Sequence, residues 1–186
     1  GRGRFPPYLA CAVAVNPPID LEANSAAMNS RLNHYYDRHF TDLLVPQVQQ
    51  RIKAFPDAPR PLEPFTPRIL REFDSLYTAP VSGFSSVEDY YQQSSSAQFI
   101  PIIGTPTLIL TAEDDPMIPV RSFKELPVPP AVTLHIARHG GHLGYLSRRG
   151  RDPDRRWMDW RVIDWFSSHL RFVVKQRQIR THLPTV

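Results

Sequence analysis

The sequence holds a single cysteine among 186 residues, Cys11. No disulfide can therefore form within the chain. Cys11 lies in the apolar run Leu9 to Val15 with no partner base beside it, so it reads as a small core residue rather than a reactive thiol. A lone cysteine fits a reducing compartment, and a cytoplasmic location is expected. No stretch approaches the roughly 20 consecutive apolar residues of a membrane helix, so no stable membrane insertion is expected. Lysine is scarce: 19 of the 22 basic residues are arginine, and the formal net charge is only +4. That charge is small and scattered, so no nucleic-acid partner is expected. The sequence also lacks an internal repeat, a low-complexity segment, a signal peptide and an initiator methionine. It opens Gly1-Arg2-Gly3-Arg4-Phe5-Pro6-Pro7 and runs at once into an apolar strand, so it reads as a chain cut in its middle.

What is present is ordinary for a globular domain with a sizeable core: 41% hydrophobic and 22% charged residues. Ala10 to Val15, closed by Asn16-Pro17-Pro18, reads as a short strand buried on both faces of a parallel sheet. Its nearest candidate neighbours lie about 90 residues downstream. Residues 20 to 55 read as helical, with Asp20 or Ser25 as caps and Met28, Leu32, Tyr35, Tyr36 and Phe40 at helical spacing. Five prolines across 56 to 67 mark a loop or extended connector. Arg68 to Tyr77 reads as a short helix. Ser85 with Glu88 forms a capping-box pattern ahead of a helix from Val87 to about Ser94. Thr107 to Thr111 and Val132 to Ala137 read as strands, and Arg156 to about Phe172 as an amphipathic helix with Trp157, Trp160, Ile163, Phe166 and Leu170 on one face. The order strand, helical insertion, strand, short helix, strand, long helix argues an α/β fold. Four stretches follow: a core strand within 1–19, a helical insertion over 20–100, a core with two loops over 101–175, and a tail over 176–186.

Two loops after the last two strands carry the chemistry. One is Ala112-Glu113-Asp114-Asp115-Pro116-Met117-Ile118-Pro119. The other is Arg138-His139-Gly140-Gly141-His142-Leu143-Gly144-Tyr145. In open α/β sheets, ligands sit outside the carboxyl ends of the strands, so an acid after one strand and a histidine after the next meet at one rim. The acid would accept a hydrogen bond from one ring nitrogen and leave the other as a base. On the residues alone, Asp115 is also a candidate helix cap, Asp114 is a rival acid suited to binding backbone or water at the turn, and His142 is also a loop histidine. His139 and His142 span two glycines in a loop, a poor arrangement for a metal, so neither metal nor cofactor is expected.

These features together resemble the C-terminal part of the α/β-hydrolases, in which the triad runs Ser, Asp, His along the chain. A strand, Asp115 with Pro119 four residues on, a strand, and Gly-His match that pattern. The blocks Asn16-Pro17-Pro18-Ile19-Asp20-Leu21, Leu70 to Pro80, Asp89-Tyr90-Tyr91, Asp114 to Pro119 and His139 to Tyr145 follow the order of the YheT-like (AB hydrolase 4) family, from about Leu9 to Leu170. The resemblance implies esterase or lipase-type activity on a small-molecule ester or lipid. It implies Asp115 as the triad acid and His142 as its base. It also implies that 20–100 forms a helical cap over the rim, where Tyr35, Tyr36, Tyr90 and Tyr91 would line an acyl pocket or simply pack.

One departure is decisive. Such hydrolases place their serine in Gly-x-Ser-x-Gly at a strand-to-helix elbow, and no such pentapeptide occurs here. The nucleophile and most of the sheet are therefore expected in a missing N-terminal half. The chain alone should be inactive, with an apolar sheet edge that favours aggregation or loose packing. Two rivals stand: a non-catalytic α/β module that pairs with another chain through the open edge, and an unrelated binding domain in which Asp115 and His142 never meet. The basic run Arg148, Arg149, Arg151, Arg155 and Arg156, broken by Asp152 and Asp154, reads as solvated rather than lipid-binding. Lys175, Arg177 and Arg180 read as a frayed tail.

Overall fold

The structure is a computed structural model that describes residues 8–148, 150 and 152–181, with side chains as far as His169. The opening Gly1 to Pro7, Arg149 and Arg151 of the basic run, and 182–186 of the tail lie outside the described residues, as do the side chains of Leu170, Lys175, Arg177 and Arg180. The chain divides into two compact units. One takes in the chain up to Pro17, Ala97–Asp115 and the chain from Phe123 onward. The other takes in Pro18–Ser96 and Pro116–Ser122.

The first unit is built on a three-stranded parallel sheet of order β1-β2-β3, with β1 Ala12–Val15, β2 Thr107–Ala112 and β3 Val132–Ala137. Ala12 stands opposite Thr107, and Thr107 opposite Val132. All six residues of β2 are buried, as expected of a central parallel strand covered on both faces. Burying Leu108, Ile109 and Leu110 contributes about 1.5–3 kcal/mol each. The four residues of β1 are only half-buried, which corrects the expectation of a strand buried on both faces. Among the described residues, β1 pairs on one side alone, with β2. The sheet supports an α/β-hydrolase fold in part.

The long helix, Trp157–Thr181, runs beyond its expected end near Phe172. Good helix formers such as Lys175, Gln176 and Arg177 follow that point, and no proline intervenes before Pro184. Its expected apolar stripe is only partly used. Trp157 and Met158 pack against Leu110, Ala112 and Tyr145, whereas Ile163 and Phe166 are exposed.

The second unit is helical. Asp20 caps α1, Leu21–Met28, by accepting a 3.0 Å hydrogen bond from the Ala23 amide. The expected continuous helix is interrupted before α2, His34–Ala54. There Asn33 donates from Nδ2 to the carbonyls of Ala27 and Pro116, the kind of local side-chain bonding that competes with helix. Asn24 likewise donates to the Met117 carbonyl. These bonds place Pro116–Ser122 with the helices, not with the sheet. From Leu70 the chain forms α3, Leu70–Phe73, a π-turn at Asp74–Thr78, and α4, Ala79–Val81. Val48, Phe73 and Tyr77 form the core here, flanked by Leu44, Val45, Ile52, Phe65 and Val81.

The capping box of α5, Val87–Ser94, sits one residue later than expected. Ser86 accepts from the Asp89 amide, and Asp89 accepts from the Ser85 amide. Of the four tyrosines, Tyr91 is buried and donates to Asp74, Tyr90 is half-buried against Phe84, and Tyr35 and Tyr36 are exposed.

Candidate active site

The site lies at the carboxyl ends of all three strands of the sheet. β2 ends at Ala112, and the turn that follows carries Asp114 and Asp115. β3 ends at Ala137 and leads into the glycine-histidine loop. Parallel strands in register bring both loops to the same rim.

His142 Nδ1 lies 3.0 Å from Asp115 Oδ2. The Asp115 side chain is wholly buried, and that of His142 is 38% exposed. An ionised carboxylate only accepts, so Nδ1 must carry the proton it shares with Asp115. Nε2 then holds the lone pair. The structure brings together the two residues singled out from sequence, and the reading in which they never meet fails.

The neighbouring pair takes a different role. Asp114 Oδ1 accepts from the amides of Gly140 and Gly141, both at 2.9 Å. The Gly141 amide, foremost, and that of Gly140 hold the Asp114 carboxyl below the usual carboxylate range. Asp114 thus fixes the backbone of the histidine loop. His139 Nδ1 lies 3.4 Å from Asp114 Oδ2 in a largely exposed pair. The two histidines therefore engage different carboxylates.

The two glycines are needed for different reasons, one of backbone angle and one of space. Gly141 has φ +53°, in the left-handed region where a side chain is strained. Gly140 faces the ring of Tyr145, which occupies the space a β-carbon would take. Tyr145 is buried, stacks on Trp157 with ring centres 5.9 Å apart, and donates its hydroxyl to Asn16 Oδ1. Burial pushes the Tyr145 hydroxyl up to about 12, and the nearby negative charge of Asp115 adds to that rise.

Asn16 was not singled out for a role from sequence. It directly follows β1, with φ +43°, and is buried. Its Nδ2 donates to Asp115 Oδ2 and, at 3.1 Å, to the Gly141 carbonyl. The available signal was an asparagine between a strand and Pro17-Pro18, since asparagine tolerates the left-handed region better than most residues.

Comparison with known proteins follows the same lines. The chain is 34% identical over 162 residues to an Escherichia coli protein named "Putative esterase YheT", a match covering 86% of this chain and 47% of that one. The chain belongs to the YheT-like α/β-hydrolases. It is also similar to a Saccharomyces cerevisiae "Monoacylglycerol lipase", with 32% identity across 80% of this chain and 34% of that protein. A mouse "Phospholipase ABHD3" matches at 35% identity over 41% of the chain and 19% of its own length. The chain thus spans about half the length, or less, of the curated relatives it matches. No family model and no solved structure matches this YheT-like chain.

Proposed function

We propose that this chain supplies the acid and the base of a serine hydrolase that acts on carboxylic esters. The observation that carries the reading is the 3.0 Å contact between His142 Nδ1 and the buried carboxylate of Asp115. The esterase and lipase names of its relatives support it. The sequence holds no Gly-x-Ser-x-Gly, so in this reading the serine and the oxyanion donors stand outside these 186 residues. A protein that presents Asp115 and His142 without them retains at most a residual, binding-derived rate.

The roles follow from the hydrogen bonds. The serine hydroxyl adds to the acyl carbonyl as its proton passes to His142 Nε2. Asp115 holds the ring in the Nδ1–H form and stabilises the imidazolium. The tetrahedral intermediate collapses, the C–O bond to the alcohol breaks, and the alcohol leaves with the proton from Nε2. Water then repeats the sequence on the acyl-enzyme and releases the acid. No step needs a metal or cofactor. The substrate is a small ester or a lipid such as an acylglycerol.

The test is turnover of p-nitrophenyl butyrate by the protein that carries both this chain and its nucleophile. Asp115→Ala and His142→Ala should each lower kcat by about 10³–10⁴-fold or more. Turnover within threefold of wild type in either variant would eliminate the assignment. The rival reading, a non-catalytic module pairing through the edge of β1, gives the oriented Asp115–His142 pair no work to do.

A further inference from the structure

We infer that Asn16 and Tyr145 are positioning residues that hold the triad acid in one orientation, a role that rests on the reading of Asp115 and His142 as a catalytic pair. Four side chains form a directed series of hydrogen bonds. The Tyr145 hydroxyl donates to Asn16 Oδ1, Asn16 Nδ2 donates to Asp115 Oδ2, and His142 Nδ1 meets the same oxygen.

The direction is fixed by chemistry. Asp115 Oδ2 and the Gly141 carbonyl are acceptors, and both lie on one side of the Asn16 amide. That side must therefore be the NH2. The amide oxygen then faces Tyr145, whose hydroxyl must donate. Tyr145 is buried, and burial pushes its hydroxyl up to about 12, which keeps the donor proton in place near neutral pH. Each bond polarises the next.

The arrangement does two things. Asn16 shares with His142 the one carboxylate oxygen, Oδ2, so the carboxylate cannot rotate without losing both donors. Asn16 also ties the Gly141 carbonyl, one residue before His142, to the end of β1. Acid and base are thereby located against the same strand end. An aspartate at position 16 would face two acceptors with no donor, which explains why the residue is an amide. Asn16 has a left-handed backbone, φ +43°, and a β-branched residue would be strained there.

The experiment uses the full nucleophile-containing protein and four variants: Asn16→Leu, Tyr145→Phe, Asp115→Ala and His142→Ala. Asn16→Leu should lower kcat about 10- to 100-fold, the scale of misplacing a catalytic group by about an ångström, with KM nearly unchanged. Tyr145→Phe keeps the ring stacked on Trp157 and should lower kcat roughly fivefold by losing one hydrogen bond. In both variants the far-downfield proton resonance of the His142–Asp115 hydrogen bond should broaden or vanish, which a purely structural loss in a still-folded protein would not cause. If Asn16→Leu fails to fold, Tyr145→Phe decides. Wild-type kcat and an intact downfield proton in folded Tyr145→Phe would overturn the inference. Wild-type turnover in Asp115→Ala or His142→Ala would instead overturn the catalytic reading beneath it.

Discussion

Replacing Gly140 with alanine is expected to be far more damaging than its size suggests. A β-carbon at 140 would lie 2.8 Å from Tyr145 Cζ and closer still to Cε1 and Cδ1. The ring cannot retreat. It is buried, it stacks on Trp157, it packs with Leu110 and Ala112, and its hydroxyl is bound to Asn16. Gly140 does not have a left-handed backbone, so alanine meets no conformational obstacle and the whole cost is steric. Overpacking of this kind costs about 1–3 kcal/mol. Pushing Tyr145 off Asn16 adds about 1 kcal/mol for the lost hydrogen bond. The expected total is roughly 2–4 kcal/mol. Urea unfolding gives the number, and two companion variants isolate its cause. Gly141→Ala has open space but φ +53°, so it should cost about 1–2 kcal/mol through backbone strain alone. In a Tyr145→Leu background, which removes the ring, Gly140→Ala should cost less than about 1 kcal/mol, a large coupling for neighbouring residues. A Gly140→Ala cost within about 0.5 kcal/mol of zero, or one unchanged by Tyr145→Leu, would refute the packing argument.

Other expectations concern the helical unit. Among the described residues the buried Tyr77 hydroxyl has no hydrogen-bond partner, so Tyr77→Phe should be neutral or raise unfolding stability by up to about 1 kcal/mol. Tyr91→Phe, by contrast, removes a 2.8 Å donor from Asp74 and should cost about 1–3 kcal/mol. Burial pushes the Asp74 carboxyl up from its ordinary range, against the opposing hydrogen bonds from Thr78 and Tyr91. A carboxyl raised in the folded state keeps a proton that the unfolded chain has already released. Stability therefore falls as pH rises from the unfolded value, about 4, through the higher folded value. Thermal melts across that window should show this slope, and Asp74→Asn should flatten it.

Much of the sheet and the Asp115–His142 pair was legible because their signals are local. Thr107 to Thr111 is short, rich in β-branched residues and preceded by Pro106, so it reads as a buried strand, and the loops after β2 and β3 carry their acid and histidine within a few residues of the strand ends. The role of Asn16 was not legible, since its partners are 99 to 129 residues away and nothing near Asn16 announces them. The glycines were visible but their reasons were not: one depends on a ring five residues on, the other on a backbone angle. The outward-facing Ile163 and Phe166 show the complementary limit. Helical spacing tells which residues share a face, but not how much neighbouring surface is available to cover it. Asn33 was passed over because a helix-breaking side-chain bond looks, in sequence, like one more polar residue inside a periodic run.

In the proposed function, His142 is the base for a serine that these residues do not contain. A crystal structure of the nucleophile-containing protein would test it most directly. His142 Nε2 is expected within about 2.6–3.2 Å of the serine Oγ, with Nδ1 still on Asp115. A serine paired with a different base, or an Nε2 turned away from it, would contradict the account.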